Sequence, residues 1–283
     1  MKILIVGTSG LVGWNLSRVA KAAGHEVTGT YNGFALPGLI QLSLEDREGV
    51  RALLEKEKPG AVICCSAWSW VDGCESNPEK AFRMNRDHPG FLAAEAERMG
   101  SRFVYFSTSY VFDGTRGPYR EEDSPSPISI YGEAKLAGEK AVMEATAGGA
   151  IIGRTMGVYG EEPQQKNFVY QVRKNLSAGR RMKIPSDQIG NATYAPDLAT
   201  MTLGLLEKGL NGIWNLAGPE PDLRRQDLAR RIADAYGLDS SLFDFVSTAS
   251  LGQPAPRPLH GGLAIEKISD LLRTSFPKWV KIS

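Results

Sequence analysis

The sequence has few cysteines and no long apolar run. Its three cysteines, Cys64, Cys65 and Cys74, form no CxxC pair, so neither a disulfide framework nor a zinc site is expected. Free thiols are typical of a reducing compartment, which favours the cytoplasm. No apolar run reaches the roughly 18 residues of a membrane span, so no membrane partner is expected. The chain opens on a strand-like run rather than a signal peptide, which also favours the cytoplasm.

The sequence also lacks an excess of charge of either sign. Lys and Arg total 33 against 32 Asp and Glu, a net charge of +1, whereas nucleic-acid binding needs a concentrated basic field. The basic run LRRQDLARR (223–231) mixes charges with apolar residues at helical spacing and is interpreted as a solvated helix face. The three histidines show no metal-ligand spacing. Neither a nucleic-acid partner nor a metal is therefore expected.

What the sequence does contain is an alternation of strand-like and helix-like runs. MKILIVG, HEVTGTY, AVICCSA, RFVYFSTS and GAIIGRTMGVYG are typical of buried strands, and helical patterns separate them. This alternation predicts an α/β fold with a doubly wound parallel sheet of the Rossmann type. After about residue 156 the rhythm loosens, and the proline-rich GQPAPRPLHGG predicts an exposed arm or a wall.

A glycine-rich turn follows the first strand. Gly7, Gly10 and Gly13 give GTSGLVG directly before a helix that starts near Leu11. Glycine lets a backbone approach a diphosphate without a Cβ in the way, and the helix N-terminus attracts the anion. We therefore predict a dinucleotide-binding domain over residues 1–155. Residues 156–283 are predicted to form mainly a smaller C-terminal α/β substrate lobe, with some segments returning to the first domain.

The end of the second strand bears on which dinucleotide binds. An acidic residue there would hold a ribose hydroxyl, and a basic one would meet a 2′-phosphate. The sequence offers Thr30, Tyr31 and Asn32 instead, with no carboxylate to repel a phosphate. This composition favours NADP(H), with NAD(H) as the alternative.

Tyr131 and Lys135 stand four residues apart in IYGEAKLAGE, on one face of a predicted helix. A free tyrosine titrates near pH ~10, and a nearby ammonium together with an oxidised nicotinamide would favour the phenolate. Tyr131 is then a candidate proton donor to a carbonyl oxygen while hydride attacks the carbon. FSTSY supplies three hydroxyl side chains at a strand end, and any of them, Ser107, Thr108 or Ser109, is a candidate to share that oxygen.

Six stretches matter for a comparison with known families, and they occur in order between residue 3 and about residue 199. They are ILIVGTSGLVG, VDGCESNPEKAFRMN, FVYFSTSYVFDG, PYREEDSPSPISIYGEAKLAGEKAV, GRTMGVYG and DQIGNATYAPDLA. Through them the sequence resembles the extended short-chain dehydrogenase/reductases, and more narrowly the dTDP-4-dehydrorhamnose reductase family. The resemblance implies a Rossmann-type domain followed by a smaller sugar-nucleotide lobe. It also implies Thr108, Tyr131 and Lys135 as the catalytic residues.

The resemblance carries further roles onto matching positions. The residues implied to contact the cofactor are Gly7, Ser9, Gly10, Leu11, Val12, Leu44, Ser66 and Ala67. The predicted cofactor site is completed by Thr30 and Tyr31 at the end of the second strand and by the pair Tyr131 and Lys135. Residues implied to meet the substrate are Ser69, Val71, Asp72, Gln188 and Arg257.

Two departures from the family pattern lie on the substrate side. Ser109 stands where the family usually has an aspartate, and the tryptophan that rhamnose reductases carry near Gly157 is missing. Trp68 and Trp70 offer a replacement stacking surface or a packing contact between lobes. The specific sugar therefore stays open, while the hydride chemistry is expected to be retained.

Three functions follow as hypotheses. The first is an NADPH-dependent reductase of a nucleotide-linked 4-keto-6-deoxy sugar. The second is a sugar-nucleotide epimerase; a dehydratase is disfavoured, because Ser109 and Tyr110 supply no carboxylate pair beside Thr108. The third is a cofactor-binding regulatory subunit similar to the β subunit of methionine adenosyltransferase. A nucleotide sugar is the expected partner, and the choice between monomer and homodimer stays open.

Overall fold

The strands and helices alternate along most of the chain, which a computed structural model describes over all 283 residues. The strands are β1 (Lys2–Val6), β2 (Glu26–Tyr31), β3 (Ile40–Gln41), β4 (Ala61–Cys64), β5 (Arg102–Thr108), β6 (Ile151–Thr155), β7 (Val158–Tyr159), β8 (Met182–Pro185), β9 (Thr193–Tyr194), β10 (Gly212–Asn215) and β11 (Phe243–Val246).

The helices include ten α-helices and four shorter segments. The α-helices are α1 (Leu11–Ala22), α2 (Arg47–Glu57), α3 (Val71–Ser76), α4 (Pro78–Phe82), α5 (His88–Arg98), α6 (Ile130–Ala145), α7 (Phe168–Ser177), α8 (Ala195–Glu207), α9 (Arg225–Tyr236) and α10 (Glu266–Leu272). A π turn spans Arg83–Asp87, and 3₁₀ turns span Ser109–Val111, Ser240–Leu242 and Thr248–Leu251. No helix combines the length and apolar character that crossing a bilayer requires.

The central sheet has seven parallel strands in the order β10-β6-β5-β4-β1-β2-β3. The chain winds from β1 to one edge through β2 and β3, and then to the other edge from β4 onward. This reversal of direction beside β1 creates the crevice in which doubly wound sheets bind ligands. The predicted doubly wound α/β fold is confirmed.

Burial on both faces explains why the central strands read as continuous apolar runs. All four residues of β4 are buried, and they alternate between two apolar clusters. Ala61 and Ile63 belong to the cluster that contains α8 residues, and Val62 and Cys64 belong to the one that contains α5 residues. The two clusters hold the helical layers to opposite faces of the sheet.

The second half of the chain contributes to both parts of the molecule. A separate apolar cluster joins α7, α9, β8 and β11, and we call these elements the second lobe. By contrast, β10 pairs with β6 at the edge of the main sheet, and residues of α8 and α10 pack in the main core.

Helix α6 fits closely against the π turn that precedes α5. Pro89 has no N–H to bond the carbonyl of Asn85, and that carbonyl instead accepts a hydrogen bond from the Tyr105 hydroxyl at 2.7 Å. Gly138 of α6 lies at the same point, because a Cβ there would stand 2.1 Å from the Asn85 oxygen and 2.5 Å from the Tyr105 oxygen.

We expect Gly138→Ala to lower the free energy of unfolding by about 1–3 kcal/mol. Alanine gains about 1 kcal/mol of helix propensity over glycine, but the added methyl group clashes with a backbone oxygen that cannot rotate away. Urea denaturation measures the change. Gly33→Ala is the control, since nothing lies within 4 Å of its added Cβ. Equal stability of the Gly138 variant and the natural protein would contradict this packing.

Candidate active site

A cleft of about 830 Å³ opens at the carboxyl ends of the central strands and is walled on its other side by the second lobe and neighbouring loops. A smaller pocket of about 350 Å³ adjoins it at the β1–α1 turn. Gly7 and Ser66 line the pocket, whereas Gly10 and Ala67 line the cleft. The turn therefore separates two spaces that one extended ligand could occupy together.

The turn has the shape that a diphosphate requires. Gly7 has a φ of +90°, and a Cβ there would lie 2.9 Å from the Ser66 nitrogen. A Cβ at Gly13 would lie 2.5 Å from the Gly7 oxygen. Helix α1 begins after Gly10 with no side-chain cap and no acidic residue in its first turn. Its first amides are thus left for an anion.

Threonines hold the turn from behind. The Thr8 hydroxyl donates to the Ile5 oxygen at 2.8 Å and accepts from the Thr30 nitrogen at 3.2 Å. The Thr30 hydroxyl accepts from the Gly7 nitrogen at 3.3 Å, and both threonines are buried. The structure thus places Thr30 behind the turn. Leu11 and Val12 line the cleft, and Ser9 is buried with its carbonyl accepting from Gln164 at 3.0 Å.

The smaller pocket has the polarity that a phosphorylated ribose needs. Tyr31 and Leu44 line it as predicted, together with Lys80. Lys80 lies over the ring of Trp68, 4.6 Å from its centroid, and forms none of the ion pairs found in the structure. Glu45, the carboxylate on the wall, lies 3.7 Å from Arg83. The residues present therefore fit the NADP(H) prediction, with an unpaired cation where the end of β2 supplies no carboxylate.

The three catalytic candidates meet at the cleft. Thr108 ends β5, and its hydroxyl accepts from the Tyr110 nitrogen at 3.2 Å. Tyr131 and Lys135 project from the first turns of α6, whose start is capped by Ser129 accepting from the Gly132 nitrogen at 3.2 Å. All three candidate side chains are buried and line the cleft, so the structure brings the predicted trio together.

Burial controls the protonation of the Tyr131 phenol. It raises the phenol's pKa well above its ordinary value, and the neighbouring Thr108 hydroxyl only partly offsets the rise. The sequence predicts that Lys135 and an oxidised nicotinamide together favour the phenolate. In the structure the Lys135 ammonium donates instead to the Phe106 oxygen at 2.6 Å. Tyr131 is therefore held protonated at neutral pH, as a proton donor must be.

Lys135 is a cation that is close to losing its proton. Burial lowers the pKa of its ammonium to about 8, against the opposing influence of Cys64 and Glu139. Its nitrogen lies 3.9 Å from the centroid of the Tyr105 ring. The charge is thus retained through contacts with a carbonyl and an aromatic face rather than with a paired carboxylate.

The predicted substrate residues divide into two groups. Ser69, Val71 and Gln188 line the cleft. Asp72 and Arg257 do not line it, because the Arg257 guanidinium forms an ion pair with Asp72 at 2.9 Å. Arg257 also donates to the Ala255 oxygen at 2.9 Å. These two residues fix the proline-rich segment against α3, so this segment forms a wall rather than an exposed arm.

Sequence reasoning missed a second arginine that does reach the cleft. Arg225 begins α9, inside the run that was interpreted as a solvated face. Its guanidinium lies 3.4 Å from the centroid of the Phe168 ring, and burial lowers its pKa to about 10. It forms none of the structure's ion pairs. Arg225 differs from the neighbouring arginines only because α9 packs against α7 in the folded chain. The local sequence pattern therefore gave no indication that Arg225 reaches the cleft.

Other wall residues were also not foreseen. They come from the ends of β6 and from loops of the second half of the chain: Thr155, Met156, Glu162, Gln164, Lys166, Asn167, Ile189, Asn191, Leu223 and Gly261.

The chain is similar to known proteins over nearly its whole length. The family model of the RmlD substrate binding domain matches residues 1–282. A probable low-salt glycan biosynthesis reductase of Haloferax volcanii is 36% identical over 98% of this chain and 94% of its own length. Methionine adenosyltransferase 2 subunit beta of Mus musculus is 32% identical over 100% of this chain and 86% of its own. The crystal structure of dTDP-4-dehydrorhamnose reductase from Bacillus anthracis in complex with NADP has a TM-score of 0.87, at 26% identity, over 97% of this chain and 93% of that one.

The pKa of Lys135 predicts an alkaline loss of cofactor recognition. Below about pH 8 the side chain is charged, and above it the charge is lost, so we expect kcat/KM for NADPH to fall as the pH rises through about 8. The neighbouring Cys64 thiol, whose pKa burial raises to about 11, does not titrate there. Lys135→Met should have a lower kcat/KM without this alkaline fall. A fall of the same shape in the variant would assign it to another group.

Proposed function

Since the chain belongs to the family of the RmlD substrate binding domain, we propose that it is an NADP(H)-dependent reductase of a nucleotide-linked 4-keto-6-deoxy sugar. The observation that carries the proposal is the meeting of Thr108, Tyr131 and Lys135 in one cleft beside an anion-binding turn. The relatives that are named as reductases support it.

Each member of the trio has a separate task. The dinucleotide, when bound, supplies the hydride for the carbonyl carbon. Tyr131 gives its phenolic proton to the carbonyl oxygen, and the Thr108 hydroxyl holds the same oxygen in place. Lys135 holds ribose hydroxyls and provides positive charge near the phenolate that remains. Gly7, Gly10 and the first amides of α1 hold the diphosphate.

Burial of the trio supports the proton transfer. Tyr131 is 9% exposed and Lys135 is 2% exposed, so little water competes for the carbonyl oxygen. Hydrogen bonds and charges act more strongly in such a dry site than in solvent. Tyr110 packs edge-on against the Tyr131 ring at 5.5 Å and limits its movement.

The residues beside Thr108 favour reduction over elimination. Removing water from a sugar needs an acid and a base beside the reacting carbon. The positions after Thr108 are Ser109 and Tyr110, which supply no carboxylate. Asp72, the predicted substrate-side carboxylate, is tied to Arg257 at 2.9 Å.

The buried thiols support a cytoplasmic location as part of the same proposal. Cys64 and Cys74 are buried and unpaired, and Cys65 is partly buried. Unpaired thiols persist best in a reducing compartment.

A substrate panel separates the proposed function from its alternatives. The protein is mixed with NADPH and 4-keto-6-deoxy sugars linked to dTDP, UDP, GDP and CDP, and NADPH absorbance is followed. We expect oxidation with at least one sugar. NADPH binding without oxidation by any of them would instead favour a regulatory role, which the similarity to methionine adenosyltransferase 2 subunit beta brings into consideration. Dinucleotide that stays bound through purification would favour an epimerase.

Tyr131→Phe should reduce kcat by about 10²–10⁴-fold, the usual contribution of a positioned proton donor. The variant keeps the ring and its edge contact with Tyr110, so the Kd of NADPH should stay unchanged and serves as the control for folding. Retention of full turnover by this variant would contradict the assignment.

Arg225→Gln should raise the KM for the sugar by about 10- to 100-fold, since a charge-assisted hydrogen bond contributes about 1.5–3 kcal/mol. The expected partner is the diphosphate of the nucleotide sugar, because Arg225 is an unpaired cation on the second-lobe wall. Affinity for NADPH should not change.

Arg230→Gln is the matched control for that experiment. It removes the same charge from the same helix, but Arg230 is half exposed and already bonds Asp227 at 3.1 Å. Equal KM values for the two variants would rule out a specific role for Arg225.

A further inference from the structure

The smaller pocket beside the glycine turn has one free positive charge on its wall. Three of the residues that line it have acidic or basic side chains: Glu45, Lys80 and His88. Burial lowers the pKa of the His88 imidazole below its ordinary value, so the ring is neutral at pH 7. The Glu45 carboxylate lies 3.7 Å from the Arg83 guanidinium, which offsets its charge. Lys80 is therefore the cation that an anionic ligand in this pocket would meet.

Lys80 is held at both ends of its side chain. At the backbone, the Lys80 nitrogen donates to the Asn77 side-chain oxygen at 3.0 Å, in the first turn of α4. At the tip, the Lys80 ammonium lies over the Trp68 ring, 4.6 Å from the ring centroid. A cation is attracted to the face of an indole ring. The ammonium therefore has a preferred position although it is not fully buried.

Trp68 is itself fixed by the helical segment that carries Lys80. The Trp68 nitrogen donates to the Asn85 side-chain oxygen at 3.0 Å, and the Asn85 side-chain nitrogen donates to the Trp68 oxygen at 3.1 Å. Asn85 is fully buried in the π turn that follows α4. Trp68 lines neither the cleft nor the smaller pocket. Its ring thus supports a cation rather than offering a stacking surface to a ligand.

The same pocket faces the part of a dinucleotide that distinguishes NADPH from NADH. Gly7 of the turn and Tyr31 and Asn32 at the end of β2 line it. In dinucleotide-binding folds the end of this strand meets the adenosine ribose, while the diphosphate stays at the start of the first helix. NADPH differs from NADH by a phosphate group on the 2′-oxygen of that ribose. Such a group carries about −1.5 to −2 charges at pH 7.

We propose that Lys80 pairs with this 2′-phosphate and thereby selects NADPH over NADH, with Trp68 as its positioning residue. The proposal rests on the dinucleotide binding that is part of the function proposed above. The adenine ring is neutral and the amides of α1 are available to the diphosphate, so the 2′-phosphate is the group that gains most from Lys80. The selecting cation comes from α4 instead of the end of β2, which supplies none.

The test is the affinity of Lys80→Met for the two dinucleotides, measured by titration calorimetry. Methionine keeps an unbranched side chain but removes the charge. We expect the Kd of NADPH to rise by about 10- to 100-fold, the usual effect of losing a charge-assisted hydrogen bond. The Kd of NADH should not change, which also shows that the variant is folded. An equal rise for both dinucleotides, or no rise for either, would overturn the proposal.

Three further variants separate the charge of Lys80 from its surroundings. Lys80→Arg should keep the preference for NADPH, because a guanidinium both stacks on an indole ring and pairs with phosphate. Trp68→Leu should raise the Kd of NADPH by about 2- to 5-fold and leave that of NADH unchanged; an unchanged ratio of the two Kd values would overturn the positioning role. Lys56→Met is the matched control, since it removes the same charge from an exposed position in the last turn of α2 and should alter neither Kd.

Smaller ligands separate this assignment from the reductase function. Adenosine 2′,5′-bisphosphate and adenosine 5′-monophosphate carry the adenosine end of the dinucleotide without its nicotinamide. We expect Lys80→Met to weaken binding of the bisphosphate by the same factor as NADPH and to leave the monophosphate unaffected. Equal losses for the two nucleotides would overturn the assignment even if the protein reduces a sugar. A failure to oxidise NADPH with any sugar would overturn the reductase, and these Kd values would still decide the role of Lys80.

Discussion

The arrangement of the cleft depends on one buried ion pair, between Glu139 of α6 and Arg154 of β6. Their charged groups meet at 2.8 Å and are almost fully buried, and the Ser107 hydroxyl of β5 donates to the same carboxylate at 2.6 Å. A buried pair of this kind adds little net stability, because desolvation offsets most of the attraction. Its contribution is positional. It fixes α6 against two strands, and it thereby sets where Tyr131 and Lys135 stand relative to Thr108.

Much of this arrangement can be read from the sequence, since it follows from local patterns. Apolar runs separated by helical periodicity predicted the doubly wound sheet. The glycine turn and the four-residue spacing of Tyr131 and Lys135 each lie within one short segment, and the order of the strands brings them to one edge. What local patterns could not show is pairing between distant segments. Arg257 looked available and is tied to Asp72, whereas Arg225 looked solvated and lies in the cleft. The burial that raises the pKa of Tyr131 could not be read from local patterns either, because only the folded chain reveals it.

The two sides of the cleft differ in how closely they follow the family. The turn, Thr108 and the Tyr131–Lys135 pair all border the cleft. The backbone of the turn leaves little room for change at Gly7 and Gly13. On the opposite side, Ser109 stands where the resemblance implies an aspartate, and the backbone at Gly157 excludes any side chain. The residues proposed for the chemistry and the residues that face the substrate lie on different strand ends and loops. The chemistry and the substrate selectivity can therefore vary separately.

The segment after β7 joins the two halves of the cleft physically. Glu161 accepts from Asn15 through its backbone oxygen at 2.9 Å and pairs with Arg18 at 3.2 Å, while Gln164 reaches the Ser9 oxygen of the turn. Any motion that spreads the lobes breaks these contacts and loosens the start of α1. A ligand at the turn and a ligand on the second-lobe side of the cleft would consequently be linked through these contacts. If a bound dinucleotide changes the affinity for the sugar by a given factor, a bound sugar must change the affinity for the dinucleotide by the same factor.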